Sequence, residues 1–201
     1  MKYIKRTKRE IESEHKKQEI VKASIKLFME YGYQRTTIAD ISEATGFSVG
    51  SIYNFFGNKA GILCDSSKSI YRNAAENMLL NPESLENPKK VILEYYQEIA
   101  ELHEKYGYEI AKASMDACSE EYRGGGALEY RNISFQAIIT ILEAVEKSGR
   151  WKNKETVESI AEQIHMEFMG ILLTWIYYPI HDSLMDALEI SLVPLIDKFD
   201  L

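Results

Sequence analysis

Cysteines, secretory signals and long hydrophobic runs are scarce or absent in this sequence. Its two cysteines, Cys64 and Cys118, belong to no CxxC or Cys/His cluster, which favours a reduced intracellular protein over a disulfide-stapled one. Residues 1–17 are charged throughout and do not resemble a signal peptide. The longest uncharged run near the C-terminus, FMGILLTWIYYPIH, is too short to cross a bilayer. We therefore expect a cytoplasmic protein without a membrane partner.

Strand patterns are also missing. No useful length of the chain alternates polar and apolar residues, whereas apolar residues recur at helical spacing almost everywhere. Capping and breaking residues, among them Gly32, Gly46, Asn58 and Gly107, divide this pattern into about nine helices. Pro194 is expected to bend the last helix. The sequence thus predicts an all-α fold.

Charge is unevenly distributed along the chain. Residues 1–62 hold 11 Lys and Arg against 7 Asp and Glu, a net charge of +4, whereas the remainder holds 13 against 24, a net charge of −11. A basic N-terminal third on an acidic remainder favours a polyanion-binding head joined to a body with another task. We predict one domain over residues 1–62, which includes a basic arm MKYIKRTKR, and a second over residues 63–201.

The stretch over residues 36–59 has helix-turn-helix spacing. Thr37 can cap a first helix, Gly46 permits a tight turn, and Ile52 packs a second helix against the first. Small and polar residues on the outer face of the second helix let it enter the major groove, while flanking Lys and Arg residues attract phosphate. The spacing alone also allows a helical hairpin that contacts no DNA.

The run ASIKLFMEYGYQRTTIADISEATGFSVGSIYNFFGNKAGIL resembles the N-terminal domain of the TetR family of bacterial transcriptional regulators. The resemblance implies an all-helical homodimer that acts as a repressor, binds a palindromic operator and leaves it when the C-terminal domain binds a small effector. Ser42 and Thr45 depart from a frequent alanine, and Val49 stands where many members carry Lys or Arg. The matching positions are Leu27, Phe28, Gly32, Thr36, Thr37, Ile41, Gly46, Tyr53, Phe56 and Lys59.

The same resemblance implies the contacts with double-stranded DNA. Thr37, Tyr53 and Lys59 would grip phosphate, and the outer face of the second helix would meet bases or backbone. Whether the basic arm reaches the minor groove or only solubilises the chain stays open. The predicted DNA-binding residues are Arg35, Thr36, Thr37, Ser48, Val49, Gly50, Ser51, Tyr53, Asn54 and Lys59.

The last two predicted helices are candidates for a dimer interface. The helix over residues 155–178 is apolar on a second face from Ile164 onward, and a helix that is apolar all round must be covered on every side. A partner subunit would supply this cover, as the resemblance also implies. The predicted interface residues are Ile164, Phe168, Ile171, Trp175, Leu188, Leu192 and Leu195.

The middle helices are rich in aromatic residues and methionine, which suit an apolar ligand pocket with hydroxyl groups. Ordinary core packing explains the same residues. We predict a hydrophobic or aromatic effector and no cofactor; inward-facing carboxylates, such as those of Glu98, Glu101, Glu109 or Asp116, would instead favour a lipophilic cation. The predicted ligand-binding residues are Tyr71, Tyr95, Tyr96, Tyr106, Met115, Tyr122 and Phe135.

Other functions have weaker support. The sequence has no HExxH motif and no nucleophile motif around a serine or cysteine, so we do not expect an enzyme. Glu158, Glu162 and His165 could share a helical face and hold a metal, and the two cysteines could form a redox switch. A helical protein-interaction module without sequence-specific DNA binding is the third alternative.

Overall fold

The computed structural model describes residues 7–123, 128–178 and 182–201, with the side chains of residues 119–132 outside the description. Within these ranges every regular element is helical, which confirms the all-α prediction. The helices are α1 Lys8–Tyr31, α2 Ile38–Thr45, α3 Val49–Phe56, α4 Lys59–Leu80, α5 Pro88–Tyr106, α6 Tyr108–Arg123, α7 Leu128–Lys147 and α8 Val157–Tyr177; α9 comprises the consecutive segments Leu184–Ala187, Leu188–Leu192 and Val193–Asp197.

Helix α1 begins much earlier than its apolar face suggests. The Thr7 hydroxyl accepts a hydrogen bond from the Glu10 N–H, and the Glu10 carboxylate accepts one from the Thr7 N–H at 2.7 Å. This reciprocal capping box satisfies two donors at the helix start. Lys8 and Arg9 therefore lie on a helix, which corrects their assignment to an arm.

Two apolar clusters form the interior. The head cluster joins α1, α2 and α3 to the first turns of α4 and to Ile110 of α6. The body cluster joins the rest of α4 to α5, α7, α8 and α9. Helix α4 belongs to both, because Ile62 and Leu63 lie in the head cluster and Ile70 begins its share of the body cluster. The head cluster comprises Ile20, Ile25, Phe28, Ile38, Ile41, Ile52, Ile62, Leu63 and Ile110.

The last helix contains a π-helical segment at Leu188–Leu192, just before Pro194. Proline has no N–H and its ring collides with the carbonyl four residues earlier, so the preceding turn widens. The Val193 N–H accordingly donates to the Leu188 carbonyl, five residues back. The disturbance expected from Pro194 therefore takes the form of a wider turn.

Helix α9 is held against α5 by Glu104. One Glu104 carboxylate oxygen accepts hydrogen bonds from the Leu184 N–H at 2.6 Å, the Met185 N–H at 3.2 Å and the Ser183 hydroxyl at 2.9 Å. A carboxylate at a helix N-terminus also complements the positive end of the helix dipole.

Among the described residues, no helix combines the length and apolar character required to cross a membrane.

Candidate DNA-binding surface and ligand cavity

The turn between α2 and α3 is set by local residues. Gly46 adopts φ 74° and ψ 0°, a left-handed conformation that glycine reaches without a steric cost, and ends α2. The Ser48 hydroxyl then caps α3 by accepting a hydrogen bond from the Ser51 N–H. Two of the three residues that depart from the family pattern make hydrogen bonds in and beside this turn. Ser42 donates to the Phe47 carbonyl at 2.6 Å, and Thr45 donates to the Ile41 carbonyl at 2.7 Å.

Helix α3 presents its outer face to solvent. Ile52 is fully buried in the head cluster, whereas Val49 is 41% exposed and Tyr53 is 49% exposed. Ser48, Gly50 and Asn54 are exposed beside them, and Ser51 is half-buried with its hydroxyl 2.8 Å from that of Ser48. A Cβ at Gly50 would meet nothing within 4 Å. Packing within the chain therefore does not explain a glycine here, although glycine weakens a helix by about 0.5–1 kcal/mol relative to alanine.

Lys59 joins the start of α4 to the loop between α1 and α2. Its ammonium group donates to the carbonyls of Tyr33 at 2.6 Å and Thr36 at 2.9 Å, and lies 4.3 Å from the centre of the Tyr33 ring. Partial burial lowers the pKa of Lys59. The side chain thus fixes the angle between α4 and the loop that carries Arg35, a structural role that spacing does not reveal.

A cavity of about 260 Å³ lies in the body between α4, α5, α6 and α8. Most of its wall is apolar, with methionine side chains from α6 and α8 that adapt to differently shaped ligands. The residues that surround it are Ser67, Tyr71, His103, Ala111, Ser114, Met115, Cys118, His165, Met166, Met169 and Leu173.

Two histidines contribute to this cavity. His103 is 5% exposed, and its Nε2 is the one buried side-chain nitrogen or oxygen in the described ranges that has no hydrogen-bond partner. Burial lowers the pKa of His103 to about 4, so the imidazole is neutral at pH 7. His165 is also buried, and its Nδ1 lies 3.5 Å from the Tyr96 hydroxyl. The cavity therefore combines apolar walls with an uncharged polar group.

Comparison with known proteins shows which proteins share this sequence pattern and this fold. Residues 20–64 match the family described as bacterial regulatory proteins, tetR family. The chain is 24% identical over 177 residues to the transcriptional repressor AcnR of Corynebacterium jeikeium, with 87% of this chain and 88% of AcnR covered. Thermus thermophilus FadR, a TetR-family transcriptional repressor solved with lauroyl-CoA, shares the fold at a TM-score of 0.69 and 20% identity, with 90% and 93% of the two chains covered. Residues 20–64 of the chain carry the tetR-family domain.

A second relative is more similar over a shorter stretch of sequence. The transcriptional regulator HbdR of an Aromatoleum species is 35% identical over 75 residues. That match spans 37% of this chain and 33% of the length of HbdR. The resemblance found in the sequence is thus confirmed at the level of the family.

The structure gives one predicted DNA-binding residue, Thr36, a role within the head itself. The Thr36 side chain is 2% exposed, its hydroxyl donates to the Gly32 carbonyl at 3.0 Å, and its carbonyl accepts from Lys59. These polar groups of Thr36 serve the loop, so packing within the head accounts for this residue, and its contact with DNA stays a prediction. Thr37 is exposed and forms a capping box with Asp40, and Arg35 is exposed.

The cavity contains two of the predicted ligand residues, Tyr71 and Met115. Tyr95 and Tyr96 instead lie in the body cluster, where the Tyr95 hydroxyl donates to Ser134 at 2.6 Å. Tyr106 and Phe135 pack against the clusters and are not among the residues that border the cavity, and the Tyr122 side chain lies outside the description. None of the four carboxylates considered as cation partners borders the cavity. Sequence reasoning missed Ser67, His103 and Ser114, because their burial depends on helices distant in the chain.

The structure places most of the predicted dimer residues in the core of their own subunit. Ile164, Phe168, Leu188 and Leu192 are fully buried in the body cluster of their own subunit, and Ile171 is 8% exposed. Trp175 and Leu195 are half-buried against the same cluster. The apolar face that was predicted to form the interface therefore packs into the core of its own subunit. The exposed positions on the last two helices include Met166, Gly170, Leu173 and Ile190.

The metal hypothesis receives no geometric support. His165 lies on the buried side of α8, whereas Glu158 and Glu162 are exposed. Across the described residues, no three His, Cys, Asp or Glu side chains are grouped closely enough to hold a metal ion.

Proposed function

We propose that this TetR-family regulator is a cytoplasmic repressor that binds a palindromic operator as a homodimer and releases it when a small molecule fills the body cavity. The exposed face of α3 would read the major groove, and Thr37, Tyr53, Lys59 and Arg35 would contact phosphates. Residues 1–62 would serve as the DNA-binding domain and residues 63–201 as the ligand-binding and dimerisation domain.

The observation that carries this proposal is that α4 and α6 both run from the head cluster to the cavity. Ile62 and Leu63 of α4 and Ile110 of α6 lie in the head cluster. One or two turns further along, Ser67 of α4 and Ser114 of α6 border the cavity and hydrogen-bond to each other. Both helices thus have one end in the DNA-binding head and the adjoining turns in the cavity wall.

This geometry provides a mechanism for release. A ligand that enters the cavity presses on α4 and α6 together, so the state it favours has a different head orientation in each subunit. Because the two recognition helices must be spaced about one DNA turn apart, the new orientation weakens operator binding. Coupling energies of about 1–3 kcal/mol are typical of such linked sites.

The proposed dimer interface uses the exposed side of α8 and α9. A Cβ at Gly170, in the middle of α8, would meet nothing within 4 Å, so its own subunit gives no reason for a glycine. Exposed Met166 and Leu173 lie one turn on either side, and Leu173 also borders the cavity. Close approach of a partner helix accounts for a small residue flanked by apolar ones.

Fluorescence anisotropy tests the DNA-binding proposal. The purified protein would be titrated against labelled duplex from upstream of its own gene and against unrelated duplex, at low and moderate salt. We expect a preference for the upstream duplex that persists at moderate salt. Asn54→Ala, on the exposed face of α3, should reduce this preference at least tenfold. Gln18→Ala, an exposed change on α1, serves as the control. Equal and weak binding of both duplexes would contradict the proposal for this operator, and a purely helical interaction module would predict no salt-dependent binding at all.

A further inference from the structure

The wall of the body cavity contains no charged side chain among the described residues that border it. An ion without a partner in such surroundings loses its hydration, at a cost of several kcal/mol. Nothing in the described wall would pair with the phosphates of a CoA group or with an ammonium group. The chemistry of the wall therefore favours an uncharged ligand.

Among the described residues of the wall, the fully buried side-chain nitrogen and oxygen atoms have hydrogen-bond partners, with one exception. The hydroxyls of Ser67 and Ser114 bond to each other, and Ser114 also lies 3.5 Å from the Leu63 carbonyl. His103 Nε2, by contrast, is buried beside the cavity and has no partner. A buried polar atom without a hydrogen bond costs about 1–3 kcal/mol, and a ligand that supplied the missing bond would recover this energy.

The neutral imidazole of His103 further restricts the chemical class of the ligand. In one tautomer Nε2 donates a hydrogen bond, and in the other it accepts one. A hydroxyl group can act as the partner of either tautomer, whereas an ether can only accept. We infer that the effector is a compact, uncharged apolar molecule with one hydroxyl group, an alcohol or a phenol, that hydrogen-bonds to His103 Nε2. This inference rests on the proposed role of the cavity as the effector site.

Matched probes test the ligand class in the wild-type protein. Titration calorimetry would compare 4-propylphenol with its methyl ether, with 4-propylbenzoate, with 4-propylbenzylamine and with lauroyl-CoA. We expect the phenol to bind at least tenfold more tightly than every other probe. Equal affinity for the ether, tighter binding of a charged probe, or no saturable binding of either uncharged probe up to its solubility limit would overturn the inference.

Two substitutions identify the partner of the hydroxyl group. His103→Phe keeps a ring in place but removes the nitrogen, so the preference for phenol over ether should disappear. His103→Gln retains a donor and an acceptor and should restore part of it. Preservation of the full preference in His103→Phe, with thermal unfolding confirming a folded protein, would overturn the assignment of His103.

Operator release separates the ligand class from the proposed function. Addition of 4-propylphenol to the protein–DNA complex should lower the anisotropy at concentrations that saturate the cavity. Saturable, His103-dependent binding without any change in DNA affinity would support the ligand class and overturn the cavity's role in release.

A separate observation concerns the only two cysteines of the chain. Cys64 of α4 and Cys118 of α6 are 54 positions apart in sequence, yet their sulfur atoms lie 3.4 Å apart. A disulfide bond requires about 2 Å, so the two sulfur atoms must approach each other by about 1.4 Å to form one. Both residues are buried, but Cys64 borders a surface groove at the start of α4 and Cys118 borders the ligand cavity. Small oxidants thus have two routes to the pair.

We propose that Cys64 and Cys118 form a reversible disulfide when a peroxide reaches them. One thiolate attacks hydrogen peroxide and becomes a sulfenic acid with release of hydroxide; the second thiol then displaces water from that sulfur and closes the S–S bond. The bond would tie together α4 and α6, the two helices that connect the head and the cavity. Oxidation would then change operator affinity through the same helices as the ligand.

Thiol counting after peroxide treatment tests the cysteine pair. We expect both thiols to become resistant to alkylation in the denatured monomer, the protein to lose the mass of two hydrogen atoms, and dithiothreitol to reverse both changes. The Cys64→Ser and Cys118→Ser variants should form no intramolecular bond, and the operator affinity of the wild type alone should change on oxidation. Retention of two alkylatable thiols, or disulfides only between chains, would overturn the proposal.

Discussion

Helices α2 and α3 of the head are eight residues each and end at glycines with positive φ, whereas α8 and α9 of the body depend on contacts from distant parts of the chain. In the head, Thr37 and Ser48 cap the helix starts through neighbours three residues away. In the body, Glu104 caps α9 from a position 80 residues before Leu184. Local signals therefore specify the head, and tertiary contacts specify the body.

The largest expected effect comes from the centre of the head. Ile52→Ala removes a fully buried side chain from the small head cluster and should lower the free energy of unfolding by about 2–5 kcal/mol. Chemical denaturation measures this change, and operator binding should weaken with it. Ile11→Ala, at a position 57% exposed on α1, is the matched control and should have little effect. Equal stability of the two variants would show that the head cluster does not hold α3.

The body should respond more strongly than the head to acid. The pKa of His103 is about 4 in the folded protein, below its usual value of 6.5, so between these values the unfolded chain binds a proton that the folded chain excludes. The free energy of unfolding should therefore fall as the pH drops from 6.5 to 4, by about 3 kcal/mol at most. Above pH 6.5 this contribution is constant.

Denaturation series across this pH range measure the effect of His103. His103→Gln should lose the pH-dependent component, whereas His15→Gln, on the exposed face of α1, should retain it. An identical pH dependence in wild type and His103→Gln would contradict the assignment.

Lys59 tests whether the link between the start of α4 and the loop between α1 and α2 is structural. Lys59→Met leaves the carbonyls of Tyr33 and Thr36 without their donor and should lower the free energy of unfolding by about 1 kcal/mol. If Lys59 also contacts phosphate, the salt dependence of operator binding should decrease by about one contact. Lys16→Met, an exposed change on α1, should alter neither the stability nor the link. Unchanged stability in Lys59→Met would remove the structural role.

The smallest expected effects come from two glycines, Gly50 and Gly170, which test operator binding and dimerisation separately. Gly50→Ala on α3 and Gly170→Ala on α8 should each raise subunit stability by about 0.5–1 kcal/mol, because neither new Cβ meets an atom of the chain. Gly50→Ala should weaken operator binding and leave dimerisation intact, whereas Gly170→Ala should weaken dimerisation in sedimentation experiments. Loss of the same property in both variants would contradict separate roles for the two glycines.

The sequence by itself determined the helical class, the glycine turns and the exposed face of α3, because capping and turn conformations depend on residues within one turn of each other. It also showed the family, since the matching positions lie within residues 20–64. Tertiary structure decided which face of α8 enters the core, which tyrosines border the cavity, and that Thr36 serves its own loop. These outcomes depend on which helices meet across the fold. His103, Cys64 and Cys118 gained their significance only when α4, α5 and α6 came together, because burial and a sulfur–sulfur distance are properties of packed helices and not of spacing along the chain.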